Sequence, residues 1–464
     1  MVNFANTTIQ FLRLYMTRVI KLCKGLDINL VGEADKTKIK LRSNGRFMLQ
    51  PSDFVGVIPK VVVKPGDRVR AGEPLFINKE YPEVKFSSPV SGIVDSVVRG
   101  ERRKILGVRI NADTEIEYVN FGKKDVETLK ANDVISALLD AGLFGFIDQL
   151  PYAVSTNPKA MPKAIFVSAL RDKPLAGDFE YELIGQEKDF QTGLSALSKI
   201  AKTYLGIGAK QKSEALNNAS DVTVTAFDGP CPAGNVGVHV NHIDPINKGE
   251  IVWTVDPTVV LFFGRLFNTG KVDMRRTVAL VGSEVIKPLY ADMLVGEELN
   301  TLLSNSLKTE RKVRIIDGNV LTGKKTSKDG FLGAHSSEIT VIPEGSNTDE
   351  FAGWIMPRLK QFSVNRSYFS WLFRNRKYVL DARVKGGERH MIMSGEYDSV
   401  IPMDIFPEYL IKSIIVGDID KMEQLGIYEV APEDFALAEF IDSSKLQLQR
   451  IVREGLDVLR KENA

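Results

Sequence analysis

Cysteine is nearly absent: Cys23 and Cys231 are the only two in 464 residues. Two distant thiols cannot ligate an iron-sulfur cluster, which takes about four. They also supply no disulfide framework, which points to a reducing compartment such as the cytoplasm. Long apolar stretches are missing as well. The longest, such as Val259 to Phe263 and Ile411 to Val416, fall far short of the roughly 20 residues needed to span a bilayer. Nor does charge of one sign dominate. The formal net charge is +2, so no general field favours nucleic acid or an anionic membrane, and partner choice rests on local patches. No G-x-G-x-x-G follows a strand-like run, which removes the usual backbone cradle for a dinucleotide pyrophosphate.

What is present is ordinary for a folded chain of two to four domains: 44% apolar and 26% charged residues, enough for cores without wholesale disorder. The densest strand signal lies between Lys60 and Ile110. Apolar, β-branched-rich runs at Val61–Val63, Val84–Phe86, Ile93–Val98 and Ile105–Ile110 alternate with turn residues at Pro65-Gly66-Asp67, Gly72, Pro89 and Gly100. The halves echo each other, as two interlocked halves of a lipoyl-like β-sandwich would. A swinging-arm carrier needs a lysine at the tip of the hairpin between them. That position falls on Tyr81, followed by Pro82, while Lys79 and Lys85 only flank it. A lipoyl- or biotin-type carrier therefore stands as an alternative that its own motif does not support.

Further on, helical patterns at Asp125–Leu143 and Gly193–Leu205 alternate with short strands at 163–168 and 221–224. This predicts a Rossmann-like α/β layer. From Thr277 the pattern turns to short strands with one helix-compatible segment, GEELNTLLSNS. From about Ile401 it becomes helical, at Pro407–Ile415, Asp418–Leu425, Pro432–Phe440 and Lys445–Lys461.

Several motifs along the chain together resemble a known family. They are Lys24-Gly25-Leu26-Asp27, VGVIPKVVVKPGDRVRAGEPLF, SSPVSGIV, Asp189-Phe190-Gln191-Thr192-Gly193-Leu194, Gly229-Pro230-Cys231-Pro232-Ala233-Gly234 with His239 and Asp244-Pro245, FLGAHSSEITVIPEG, and Ile401-Pro402-Met403-Asp404-Ile405. In this order and spacing the chain resembles the A subunit of the sodium-translocating NADH:quinone oxidoreductase. That family is related to the flavin-bearing NADH subunit of complex I and to the iron-sulfur C subunit of the Rnf complex. The resemblance implies an α+β multidomain fold: a lipoyl-like sandwich at 16–118, a Rossmann-like domain at 119–270, a β-grasp (ubiquitin-like) domain at 271–346 and a C-terminal region at 347–464 ending in a helical bundle. Residues 1–15 are expected to be a disordered extension, since the family usually starts near Met16 and MVNFANTTIQFLRLY lacks the features of a targeting peptide.

By the same resemblance the chain is a peripheral subunit on the cytoplasmic face of the bacterial inner membrane. Its partners are the other subunits of the complex, and it supports quinone reduction coupled to sodium export. Flavin, iron-sulfur centres and the sodium path belong to other subunits. The flavin-holding relatives have a glycine-rich loop where this chain has Ala141-Gly142-Leu143-Phe144-Gly145-Phe146-Ile147-Asp148, and an acidic loop where it has Val167 to Pro174. Bulky Phe144 and Phe146 block close backbone approach, so neither flavin nor NADH is expected here and no tightly bound cofactor is assigned. An Rnf-type electron carrier is the other alternative, set back by the missing cysteines.

Asp317 to Lys325 is one residue short of a Walker A match and is followed by TSKDGFLG rather than a helix, which argues against a phosphate site. Cys231, His239, His242 and Asp244 are metal-capable. However, Gly237, Val238 and Val240 favour a strand or loop, which would send the two imidazoles to opposite faces, so no metal is assigned. No catalytic residue is assigned either. Phe144, Phe146, His239 and His242 remain as candidates for a quinone or partner surface, because an imidazole can donate to a quinone carbonyl. Trp354, Tyr368, Phe369, Trp371 and Phe373 with Arg366, Arg374 and Arg376 form an aromatic, basic stretch suited to docking on a membrane subunit.

Overall fold

A computed structural model describes residues 18–308, 312–346, 361–364, 366–373 and 375–463. The expected extension at 1–15, and Trp354 and Arg374, lie outside the described residues. The protein is a mixed α/β multidomain chain.

The sandwich forms where expected. Its sheets run Arg46–Leu49, Ile105–Ala112, Gly92–Arg99, Arg68–Val69 and, facing them, Pro59–Val61, Pro74–Asn78, Lys85–Ser87. Phe76 and Phe86 stack at 4.7 Å between ring centres in its core, with Phe54 at 4.4 Å from Phe86. Lys85, which flanks the hairpin tip at Tyr81, pairs with Asp140 at 3.5 Å.

The second layer is a seven-stranded sheet in the order Arg18–Lys21, Thr223–Asp228, Thr203–Gly208, Ala164–Ser168, Val252–Val255, Asp148–Leu150, Val154–Ser155. The first five are parallel and the last two antiparallel. One expectation needs correction here. The helix expected at 193–205 is Glu187–Ile200, because Thr203-Tyr204-Leu205 begins a buried strand in which β-branched and aromatic side chains fit the pleat. Within the N-terminal stretch before the sandwich strands, Arg18–Lys21 is the edge strand here, and Lys38–Lys40 pairs with Leu289–Leu294 in the third sheet. Edge strands recruited across more than 200 residues leave no local signal.

Helix Pro257–Thr269 is specified locally at both ends. Asp256 caps it by accepting from Thr258 N, Pro257 opens it, and Gly270 closes it at φ 71°. It crosses Glu187–Ile200 at very short range. A Cβ on Gly264 would sit 1.7 Å from Asp189 O, and one on Gly193 2.2 Å from Val260 O. The Asp189 to Leu194 motif therefore has a packing reason, with Asp189 Oδ1 also accepting from Asn268 Nδ2 at 2.7 Å.

The third sheet runs Lys324–Thr326, Val313–Asp317, Glu338–Pro343, Arg275–Val281, Leu289–Leu294, Lys38–Lys40. The Walker-like segment is the turn between the antiparallel strands Val313–Asp317 and Lys324–Thr326, with no helix after it. The C-terminal region carries helices Pro407–Val416, Ile419–Gln424, Ala436–Ile441 and Leu448–Glu462. Their core joins Leu22, Ile28 and Phe227 of the α/β layer.

Candidate functional site at the carboxyl edge of the parallel sheet

From strand Ala164–Ser168 the chain winds outward to Thr203–Gly208 and Thr223–Asp228, then returns to the other side at Val252–Val255. Open α/β sheets form their ligand clefts outside the strand carboxyl ends at such a reversal. A cavity of about 390 Å³ lies there. Its floor is the segment Leu170–Lys173. Gly234–Val236 and Asp256–Pro257, the starts of two helices, form one side, and the third sheet closes the top with Asp317 and His335. Asp53 of the sandwich and Glu433 of the C-terminal region complete the lining, so all four parts of the chain meet at this point.

Two helix N-termini aimed at one cleft would ordinarily make an anion site. Here the protein supplies the anions itself. Asp256 Oδ1 accepts from Thr258 N at 2.9 Å, and Asp172 Oδ2 accepts from Gly234 N at 2.8 Å. Across the cleft, Asp53 Oδ2 accepts from Ala334 N at 2.9 Å and Asp317 Oδ2 from Gly333 N at 3.0 Å. A phosphate arriving here would find these amides occupied and would face carboxylates.

The cations of the lining are paired: Lys173 with Glu433 at 2.5 Å and Lys324 with Asp53 at 3.4 Å. Arg171 donates to Glu182 at 2.8 Å and to Thr258 Oγ1 at 2.7 Å, and approaches Asp256 at 3.7 Å. Arg276, fully enclosed, donates to Ala334 O at 2.7 Å, and its Nη2 lies 3.8 Å from Asp256. Burial pushes Asp256 upward, but Arg171 and Arg276 outweigh it and hold this carboxyl below its ordinary range. For Asp172 and Asp317 the nearby Lys173 and Lys324 do not outweigh burial. Burial lifts Asp172 to about 6, and it lifts Asp317 to about 7 with the Asp53 charge adding to the rise against a Ser336 hydrogen bond. Asp148 is raised as well, by burial foremost. The cleft is thus acidic, with several carboxyls that retain protons well above their usual range.

Three family models cover most of the chain in order: an NqrA N-terminal barrel-sandwich hybrid domain at 20–113, an NqrA second alpha/beta domain at 129–272 and an NqrA C-terminal domain at 277–328. A relative from Neisseria meningitidis serogroup B, named as the A subunit of a Na(+)-translocating NADH-quinone reductase, is 32% identical over 96% of this chain and 100% of its own length. Relatives of the same name from Yersinia pestis bv. Antiqua and Rhodopirellula baltica are also 32% identical over 96% of this chain, covering 100% and 98% of their lengths. The chain belongs to the NqrA family. Overlay on an NAD+-reducing [NiFe]-hydrogenase in the H2-reduced state reaches a TM-score of only 0.36 at 9% identity, covering 75% of this chain and 67% of that one.

The family motifs have structural reasons. Asp27 Oδ1 accepts from Cys231 N at 3.0 Å, and Leu26 N donates to Cys231 O at 2.7 Å. The Lys24 to Asp27 and Gly229 to Gly234 motifs, some 200 residues apart, therefore form one knot beneath the cleft. The residues singled out for a quinone surface fare less well. Phe144 and Phe146 are enclosed in the core, with Phe144 edge-on to Trp253 at 5.5 Å and Phe146 to Phe54 at 5.0 Å. A Cβ on Gly145 would meet the Phe86 ring at 2.3 Å, and one on Gly142 the Ser87 hydroxyl. The loop is therefore pressed against the sandwich rather than open to a ligand.

The segment Val236–Ile243 is an α-helix, not the strand or loop expected from its valines and glycine. A parallel sheet requires a crossover at this point, and that tertiary need overrides local preference. His239 lies 1% exposed, stacked on Phe227 at 3.9 Å, with Nε2 2.9 Å from Ala233 O. Burial lowers its pKa to about 4, so it is neutral. His242 is half-buried, its Nδ1 3.0 Å from Val238 O. Neither lines the cleft. The side chains that do, Asp53, Asp148, Asp172, Asp256, Asp317 and His335, were not selected as site residues because they come from segments far apart in the chain. Asp148, Asp172 and Asp317 lie in segments that were weighed as nucleotide-site remnants, and Asp256-Pro257, a cap followed by proline, carried a local helix-start signal.

Proposed function

We propose that this chain is the A subunit of a Na+-translocating NADH:quinone reductase, held at the cytoplasmic face of the membrane by embedded partner subunits. The observation that carries this is end-to-end agreement with relatives of that name, at 32% identity over 96% of the chain. Among the described residues no helix is long and apolar enough to cross a membrane, which fits attachment through partners. In this reading the α/β layer is Rossmann-like, the third sheet is a β-grasp, and the cleft is a nucleotide site whose anion positions have been taken over by Asp172 and Asp256. Flavin, NADH and iron-sulfur centres then reside in other subunits, and this chain braces the assembly near the quinone reaction. Since Phe144, Phe146 and His239 are enclosed, the only one of the four candidates left with solvent access is His242.

The test is purification of the tagged chain from its own membranes. Co-purification of embedded oxidoreductase subunits, together with sodium-stimulated quinone reduction that is lost on deletion of the gene, is the expected result. A chain that isolates alone, with quinone reduction intact in the deletion strain, would refute the assignment. An optical spectrum of the purified chain, followed by calorimetric titration with a short-chain quinone, checks the cofactor reading. Bound flavin would overturn it.

A further inference from the structure

Four large apolar side chains stand out around a single turn, Phe369–Leu372. Phe369, Trp371, Leu372 and the adjoining Phe373 are each half exposed, while Ser370 between them is buried at 6%. Ser370 is the anchor: its Oγ receives a bond from Ser363 N at 3.0 Å and donates to Ser363 O at 3.1 Å. The flanks are fixed too. Tyr378, 5% exposed, exchanges backbone hydrogen bonds with Asn29 and Val31 at 2.8 and 3.0 Å, and Phe362 packs on Tyr378 and Phe440 at 5.5 and 6.0 Å. The segment is therefore tied down on both sides while its rings point away from the core.

Charge follows the rings. Residues 361–393 hold seven Arg and Lys against Asp381 and Glu388, a formal +5 in a chain whose net charge is +2. Arg366 lies over the Trp371 ring at 5.5 Å, and Arg376 lies 6.0 Å from the centre of the Phe373 ring. Farther along, Ser394 Oγ donates to Glu408 at 3.3 Å. That bond ties the end of this segment to the helix Pro407–Val416, near whose start Phe406 and Tyr409 are also exposed. Protein interface cores share the aromatic rings and arginines of this segment but are depleted in lysine, and Lys377 and Lys385 add to its charge. An exposed ridge in which rings alternate with guanidinium groups on a segment of formal charge +5 matches the water–lipid boundary, where aromatic faces sit among headgroups and cations meet lipid phosphates.

We infer that this ridge seats the protein on anionic phospholipid headgroups beside its embedded partners. The inference rests on the membrane-complex reading above and adds a direct lipid contact to it. The purified full-length chain should float with phosphatidylglycerol-containing vesicles and stay behind with pure phosphatidylcholine. High salt should release it, a test that needs no variant. Arg366→Gln with Arg376→Gln should lower vesicle partitioning about 25-fold, since each cation near such a surface is worth about a factor of five, and separately Trp371→Ser with Phe373→Ser should lower it as well. Ile93→Ser, which removes an exposed apolar side chain on the sandwich, should have no effect.

Equal binding to neutral vesicles, no binding to anionic ones, or indifference to both double variants would overturn the inference. A chain that co-purifies with embedded oxidoreductase subunits yet ignores every vesicle sinks the lipid contact and leaves its place in the complex standing. A chain that floats with anionic vesicles but brings down no oxidoreductase subunits does the reverse.

Discussion

Asp317 offers a direct test of the acidic cleft. Its Oδ2 accepts from Gly333 N at 3.0 Å, whereas Oδ1 is enclosed without a hydrogen-bond partner. Burial, reinforced by Asp53, raises its pKa to about 7 in the folded protein, against about 3.9 in an unfolded chain. Between those values the folded state keeps a proton that the unfolded state has released. Stability therefore falls as pH rises through this window and levels off above it. The full shift corresponds to an upper bound of about 4 kcal/mol, and relaxation with water entering a polar cleft reduces it to about 2 kcal/mol. Asp317→Asn keeps an acceptor for Gly333 N and removes the need for a proton. Urea midpoints of variant and wild type should agree near about pH 4, and the variant should be the more stable by about 2 kcal/mol near about pH 8. Parallel pH curves for the two proteins, or a variant weaker at every pH, would refute the assignment of a raised carboxyl at this position.

Other expectations follow from the same packing. Arg171→Met leaves Glu182, whose side chain is 1% exposed, without its cation and should cost about 3–5 kcal/mol. The double change with Glu182→Leu should recover most of that loss, and a thermal-melt comparison of the three proteins decides it. Gly264→Ala drives a methyl into Asp189 O and should cost at least about 2 kcal/mol. If its unfolding midpoint is unchanged, the close helix crossing is wrong. His239→Ala leaves a void against Phe227 and should cost about 2–3 kcal/mol. Because burial holds the imidazole pKa near about 4, against about 6.5 unfolded, its contribution is complete above the unfolded value and is lost as pH falls toward 4. A wild-type protein whose stability advantage over His239→Ala is constant from pH 7 to pH 4 would contradict a neutral buried imidazole.

Much of the architecture was written locally. The turn residues and β-branched runs of Lys60–Ile110 produce the sandwich. Asp256, Pro257 and Gly270 bound their helix by capping chemistry alone. The bulk of Phe144 and Phe146 was legible, because side-chain volume is a property of the residue itself. Where those rings go was not legible. That depends on Phe54, Trp253 and Phe262, which reach them from other parts of the chain.

The same limit explains the helix that holds His239 and His242. Valine favours strands locally, but a parallel crossover demanded a helix, and burial then turned one imidazole inward. Residue order alone specified most element types, the lack of cysteine and glycine cradles for redox cofactors, and the family. That Asp53, Asp148, Asp172, Asp256 and Asp317 share one cleft was settled by long-range packing. Their carboxyls come from separate chain segments with no common period, and low-dielectric burial shifts their protonation only once those segments have met.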